Sequence, residues 1–153
     1  MANTYSQIYI HLVFAVKGRE NVIDKSFKNE LYKYICGIVT NKKQKVFSIN
    51  GVADHIHILV SIGPDYSISN LVKDIKVNST KWINEKKFVI GKFQWQEGFG
   101  AFSVSQSQIS KVATYIDNQE EHHKKTTFKQ EYIDFLKSYN IEYDEKYIFN
   151  WED

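Results

Sequence analysis

The stretch Asp54-His55-Ile56-His57-Ile58-Leu59-Val60 constrains this chain more than any other. It reads as a strand, and side chains alternate faces along a strand. His55 and His57 therefore project from one face while Ile56, Ile58 and Val60 project from the other. The sheet that holds this strand has an apolar side for helices to cover and a side carrying two imidazoles at a spacing suited to sharing a metal ion. An H-x-H pair is weak by itself, because five histidines in 153 residues produce such pairs by chance, so it needs a partner elsewhere in the chain.

The rest of the sequence supplies the frame. Residues 5–16 are β-branched and aromatic and end at Lys17-Gly18-Arg19, a buried strand followed by a turn. Asp24 reads as the N-cap of a helix whose apolar stripe is Phe27, Leu31, Tyr34, Ile35 and Ile38. Residues 44–50 and 55–62 form an antiparallel strand pair joined at Asn50-Gly51 and a few residues more. From Ser67 to about Lys87 helical spacing returns through Ile68, Leu71, Val72, Ile75, Trp82 and Ile83, with Ser79 in the same stripe. The alternating aromatics and glycines of residues 88–105 suit strands with close backbone approach. A third helix is predicted from about Gln106 to His123, and a last one over 128–139 through Phe128, Tyr132, Phe135, Leu136 and Tyr139. The order β-α-β-β-α-β(β)-α is an α+β fold, a ferredoxin-like or RRM-like split β-α-β with two helices on one face of a mainly antiparallel sheet and an additional C-terminal helix. The remainder, rich in tyrosine and acids, reads as an extended arm.

Composition narrows the function classes. A single Cys36 excludes an intrachain disulfide framework and fits a reducing cytoplasm. No apolar run approaches the ~18 residues of a membrane span, and the start lacks the layout of a signal peptide. The net charge of +2 divides unevenly. Residues 131–153 hold Glu131, Asp134, Glu142, Asp144, Glu145, Glu152 and Asp153 against Lys137 and Lys146, an acidic tail of −5, which leaves +7 on residues 1–130. That basic body suits a polyanion, or is an ordinary solvated surface. On the second helix Lys73, Lys76, Thr80 and Lys87 share one flank, a phosphate-contacting strip or a solvated face.

The third helix supplies the partner for the histidines. Tyr115, Gln119 and His122 fall at i, i+4 and i+7 beside the stripe of Ile109, Val112, Ala113 and Ile116. Two imidazoles and an amide oxygen make a mixed N/O set with open coordination positions, which without cysteine favours Mg²⁺ or Mn²⁺ over a structural Zn²⁺. Beside such an ion a tyrosine hydroxyl can attack a phosphate and later leave it; the plain alternative is a packed ring with a wet hydroxyl. His122 either assists proton transfer or, with His123, Lys124 and Lys125, complements the helix dipole. His11 reads as a satisfied core histidine. Asp54 points away from His55 by alternation, and supports it only if the strand begins irregularly.

These residues resemble a known family. The segment 54–60 is similar to the HUH (His, hydrophobic, His) motif, and Tyr115-Ile116-Asp117-Asn118-Gln119-Glu120-Glu121-His122-His123 to the tyrosine helix, of the single-tyrosine HUH transposases of single-strand insertion sequences, which include the REP-associated tyrosine transposases. Further blocks resemble the same family in the same order: residues 11–19, Ile75-Lys76 with Ser79 and Lys81-Trp82-Ile83-Asn84, and residues 95–105. The resemblance implies one transposase domain over residues 1–153, with a catalytic core to about 125 and a C-terminal helix and acidic tail over 126–153. It implies a DNA strand transferase with Tyr115 as nucleophile, forming a 5′-phosphotyrosine, and His55, His57 and Gln119 as ligands of Mg²⁺ or Mn²⁺. The implied partners are single-stranded DNA with hairpin ends and a second copy of the chain, in a homodimer that often completes each site with the other subunit's tyrosine helix. Lys17, Arg19, Lys73, Lys76 and Lys81 are the candidate DNA contacts, and His122 an accessory residue. Two other readings stay open: a domesticated nickase of repeat hairpins, and a noncatalytic module that binds single strands on the aromatic-bearing sheet.

Overall fold

A computed structural model describes residues 4–144. Strands β1 (Tyr9–Ala15), β2 (Lys45–Val52), β3 (His55–Ser61) and β4 (Gly100–Val104) form one antiparallel sheet in the order β2-β3-β1-β4. The central strands β1 and β3 are buried along almost their whole length, so both read as near-continuous apolar runs, while the edge strands are part exposed. Helices α1 (Lys28–Asn41) and α2 (Ile68–Lys86) cover one face, packing Leu31, Ile35, Leu71 and Ile75 on Leu12, Phe14, Ile56 and Ile58. The other face carries His55, His57 and Leu59, and it is covered by α3 (Ile109–Asp117), α4 (Gln119–His122) and α5 (Phe128–Ser138).

Both ends of α2 agree with its sequence. Ser67 accepts from the Asn70 N–H as an N-cap, and Lys87 ends the helix in the left-handed region. Asp24 behaves differently from expectation. A turn at residues 25–27 precedes α1, so Asp24 caps that turn, accepting from the Ser26 N–H, and α1 begins only at Lys28.

Between α2 and β4 the alternating aromatics and glycines make little sheet: a bridge from Val16 to Trp95 is the sole strand-like pairing among the described residues there. Side chains of α2 fix this segment instead. Asn84 exchanges two hydrogen bonds with the Phe93 backbone, the Trp95 indole donates to Ser79, and the Lys76 ammonium donates to the carbonyls of Gln96 and Gly98.

Two irregularities on β2 and β3 position the site. Phe47 is an extra residue in β2, where the register slips between Val46 and Ser48. Without the slip Ser48 would follow Val46 onto the α1/α2 face; with it Ser48 pairs with Leu59 and Asn50 with His57, on the histidine face. There Ser48 donates to the Asp117 carboxylate and Asn50 to the Asp117 carbonyl, which anchors the end of α3. The predicted single helix from Gln106 to His123 is consequently broken. A 3₁₀ turn (Gln106–Gln108) leads into α3, and α3 and α4 meet at a non-helical Asn118. The second irregularity is the β2–β3 turn, which is only Ala53-Asp54, because β2 runs through Asn50-Gly51 to Val52.

Helix α5 matches its predicted span, capped by Thr127, with Phe128, Tyr132, Phe135 and Leu136 on β1 and β4. Gly100 permits the contact, since a Cβ there would sit 2.8 Å from the Tyr132 ring. Most of the expected C-terminal arm lies outside the described residues.

Candidate metal and nucleophile site

The histidine face closes into a buried polar cluster. His55 and His57 are fully buried, as the central position of β3 dictates. The His55 Nδ1 lies 2.7 Å from the Asp54 carboxylate. Asp54 reaches it because it belongs to the tight turn and not to the regular strand, the irregular start that alternation required. A carboxylate only accepts, so Nδ1 carries a proton and donates to Asp54, while Nε2 faces the cluster. Phe128 stacks on the His55 ring at 3.9 Å between centroids. His57 is held from behind by His11, Nε2 to Nδ1 at 2.8 Å. His11 is thus a core histidine, and one that orients a site residue.

Gln119, buried at the start of α4, directs Oε1 at the His55 Nε2, 3.3 Å away. In a neutral His55 with its proton on Nδ1, Nε2 and the Gln119 Oε1 are both electron-pair donors facing one another, so His55, His57 and Gln119 fit a divalent ion. An ion pair between Lys28 of α1 and Glu120 ties α4 to the body of the protein. Tyr115, one turn before Gln119, points its hydroxyl into the same cluster from its own chain.

The residue it meets there is Glu131 of α5. Its side chain is 2% exposed, its Oε2 accepts from the Tyr115 hydroxyl and, at 3.2 Å, from the Gln119 amide, and its Oε1 lies 3.0 Å from the His57 Nε2. His123 adds its Nε2 at 3.1 Å from the same Oε1, while its Nδ1 donates to the Thr126 carbonyl at 2.8 Å. His55, His57, His123 and Glu131 each offer a ligand atom within 4.8 Å of the others, a grouping able to hold a metal ion. Neither Glu131 nor His123 was among the expected site residues. The signal for Glu131 is its spacing, three residues after Phe128 and four before Phe135, which places an acid on an apolar helix stripe.

The electrostatics follow from burial and from these contacts. Burial works against charging Glu131, but hydrogen bonds from His55 and His57 outweigh it and bring the carboxyl down to about 2. Burial also opposes charge on His55, yet Asp54 and Glu131 raise its pKa. Burial dominates elsewhere. It lowers His57, takes His123 to about 4 with help from His55, and takes His11 to about 3 with help from His57.

His122 lies beside this cluster, with Nε2 3.3 Å from the Glu131 Oε2 but without hydrogen-bond alignment. It lines a 430 Å³ cavity with Tyr115, Lys111 and Phe135. A wider groove of 980 Å³ opens past Asp54 and His123, lined by Arg19, Lys25, Lys28, Lys124 and Lys129. Of the candidate DNA contacts only Arg19 joins it. Lys17 is exposed nearby and reaches Gln94. Lys73, Lys76 and Lys81 belong to α2, across the sheet from the histidines, and Lys76 is engaged with two carbonyls. No helix among the described residues is long and apolar enough to cross a membrane.

Known proteins resemble this chain in sequence and in fold. Residues 4–119 match the family model described as transposase IS200 like. The ISDra2 transposase TnpA of Deinococcus radiodurans is 25% identical over 118 residues, which cover 74% of this chain and 84% of that protein. Two solved structures share the fold, each with a TM-score of 0.62. One, assigned as a transposase from D. radiodurans R1, is 21% identical and covers 78% of this chain and 95% of its own. The other, a REP-associated tyrosine transposase bound to a REP hairpin, is 13% identical and covers 80% and 73%. The family match ends at Gln119, so His123 and Glu131 lie beyond it.

Proposed function

Because this chain belongs to the IS200-like transposases, single-tyrosine enzymes that transfer DNA strands, we propose that it cleaves and rejoins single-stranded DNA through a covalent bond to Tyr115, with Mg²⁺ or Mn²⁺ held by His55, His57 and Gln119. The observation that supports this reading is the convergence of Tyr115, Gln119 and both histidines in one buried cluster built by a single chain. When bound, the ion would neutralise charge developing on the scissile phosphate.

The protein's own groups do the rest. The Tyr115 oxygen forms a bond to phosphorus as the bond to the 3′ oxygen breaks; the tyrosine proton leaves to an acceptor and the 3′ oxygen gains one, giving a 5′-phosphotyrosine and a free 3′-OH. That hydroxyl then attacks the phosphotyrosine of another end and restores Tyr115. Asp54 and His11 hold the imidazoles, and Ser48 and Asn50 hold the tyrosine helix through Asp117. The substrate is cytoplasmic DNA with folded hairpin ends, as in the REP-hairpin complex of the relative, and the groove at Arg19 and Lys28 suits a single strand entering beside His123. The working form is a homodimer. In one chain Tyr115 already meets its own histidines, so exchange of the tyrosine helix between copies is a second arrangement of the same site.

A denaturing gel tests the reaction: labelled single strands from the genomic flanks, with Mn²⁺ or chelator, and wild type or Tyr115→Phe. We expect an adduct that needs Mn²⁺ and is lost in the variant. An adduct that persists in Tyr115→Phe refutes the assignment. Metal-independent binding with no adduct supports the noncatalytic module, and cleavage at repeats with no rejoining supports the nickase.

A further inference from the structure

We infer that the metal site extends beyond the two strand histidines and Gln119 to His123 and Glu131, so that the segment after the family-matched region supplies two further ligands. This rests on the metal site proposed above.

The convergence of four ligand atoms carries the inference. The His55 Nδ1 donates to Asp54 and the His123 Nδ1 donates to the Thr126 carbonyl. Both partners are acceptors, so in each neutral ring the Nε2 is left with a lone pair. Both of these Nε2 atoms face the same Glu131 Oε1, at 3.4 Å from His55 and 3.1 Å from His123. His57 approaches that oxygen too, at 3.0 Å. Three imidazole nitrogens thus converge on one carboxylate oxygen, and because the Nδ1 atoms of His55 and His123 are turned outward to acceptors, each ring that gives up its Nε2 proton points a lone pair at a common centre. Such an arrangement is stable with a cation inside it.

The spacing agrees. Two ligand atoms about 2.1 Å from one ion are about 3.0 Å apart at an octahedral right angle and about 3.4 Å apart at a tetrahedral angle. The separations given above, together with 3.3 Å between the His55 Nε2 and the Gln119 Oε1, fall in that range. Each ligand histidine also has its other nitrogen fixed by Asp54, His11 or Thr126, the outer support that a metal-bound imidazole requires. Glu131 supplies the set's one anionic oxygen, which hard cations favour, while three imidazoles shift the preference from Mg²⁺ toward Mn²⁺. Its second oxygen stays on the Tyr115 hydroxyl, so the residue that holds the ion also sets the nucleophile beside it.

Mn²⁺ titration of the full chain without DNA, followed by the electron paramagnetic resonance signal of free Mn²⁺, tests this. The proteins are wild type, Glu131→Gln, His123→Leu and His57→Ala, each checked for native circular dichroism. We expect His57→Ala to abolish binding, and Glu131→Gln and His123→Leu each to weaken it by at least about tenfold. Wild-type affinity in either Glu131→Gln or His123→Leu, with binding lost in His57→Ala, overturns this inference and leaves the proposed function standing. Wild-type affinity in His57→Ala overturns both. Should Glu131→Gln fail to fold, the His123→Leu titration decides, since His123 lies at the cluster's outer edge.

Discussion

Gly51 gives the sharpest test of how the fold sets the site, because one methyl group there acts on His55 through backbone alone. Gly51 pairs with Ile56 beside the two-residue turn, and a Cβ added to it would sit 2.2 Å from the His55 carbonyl oxygen and 2.8 Å from the Ile56 Cα. Contacts of that kind are tolerated only beyond 3.0 Å, and both neighbours are main chain, so no side-chain rotation relieves them. The strand must move by about 1 Å at the residue that carries the first imidazole. Overpacking of this size costs about 1–3 kcal/mol, which leaves a folded protein. A displacement of about 1 Å in a catalytic constellation costs on the order of a hundredfold in rate. Gly51→Ala should therefore remain cooperative in a thermal melt, with Tm lowered by several degrees, while Mn²⁺-dependent adduct formation on a single-stranded substrate falls far more than the stability does. Adduct formation at the wild-type rate in a folded Gly51→Ala protein would refute the reasoning, because His55 would then have room that the geometry denies it.

Other contacts make separate predictions. Asp54→Ala removes the partner of the His55 Nδ1 and should weaken Mn²⁺ binding by roughly tenfold to a hundredfold in the same titration, and the buried donor it leaves unpaired should cost about 1–3 kcal/mol in the melt. Phe128→Ala removes a ring stacked on His55 and packed on β1; it should cost about 3 kcal/mol, a fall in Tm on the order of 10 °C for a chain of this size. Replacing Ser48 and Asn50 together by Ala frees the end of α3 without touching any proposed ligand, so adduct formation should slow while Mn²⁺ affinity holds; a parallel loss of both would show that Asp117 steadies the ligands as well as Tyr115.

Much of the fold was legible because its signals are periodic. Alternation along 54–60 assigned each face of β3 correctly, since a central strand covered on both sides leaves no other place for Ile56 and Ile58 than against α1 and α2. The 3.6-residue spacing found α2 and α5 nearly to their ends. Periodicity fails where one residue breaks the count. The Phe47 bulge and the Asn118 break have no composition of their own, and they exist as a pair: the bulge turns Ser48 and Asn50 toward α3, and their hold on Asp117 ends that helix. Residues 88–99 misled for a related reason. Their glycines and aromatics serve packing against α2, with Trp95 and Phe93 held by Ser79 and Asn84, and that requires no sheet.

The site divides along the same line. His55, His57, Tyr115 and Gln119 are spaced along single elements, so one strand and one helix face reveal them. Glu131 joins them only through the sheet, and counting it with six later acids as part of an acidic tail hid it. The count treated charge as a property of a segment, whereas burial makes it a property of a place. An acid between Phe128 and Phe135 on a stripe that must face the sheet will be buried, and a buried carboxylate needs partners that carry protons or positive charge. The covered face of this sheet offers His11, His55 and His57, all from the central strands on which α5 lies. The two anomalies, imidazoles on a covered face and a carboxylate on an apolar stripe, each cost stability alone and are reconciled only by meeting. Pairing such misfits across elements is thus a physical route from sequence to a site that no single-element motif contains.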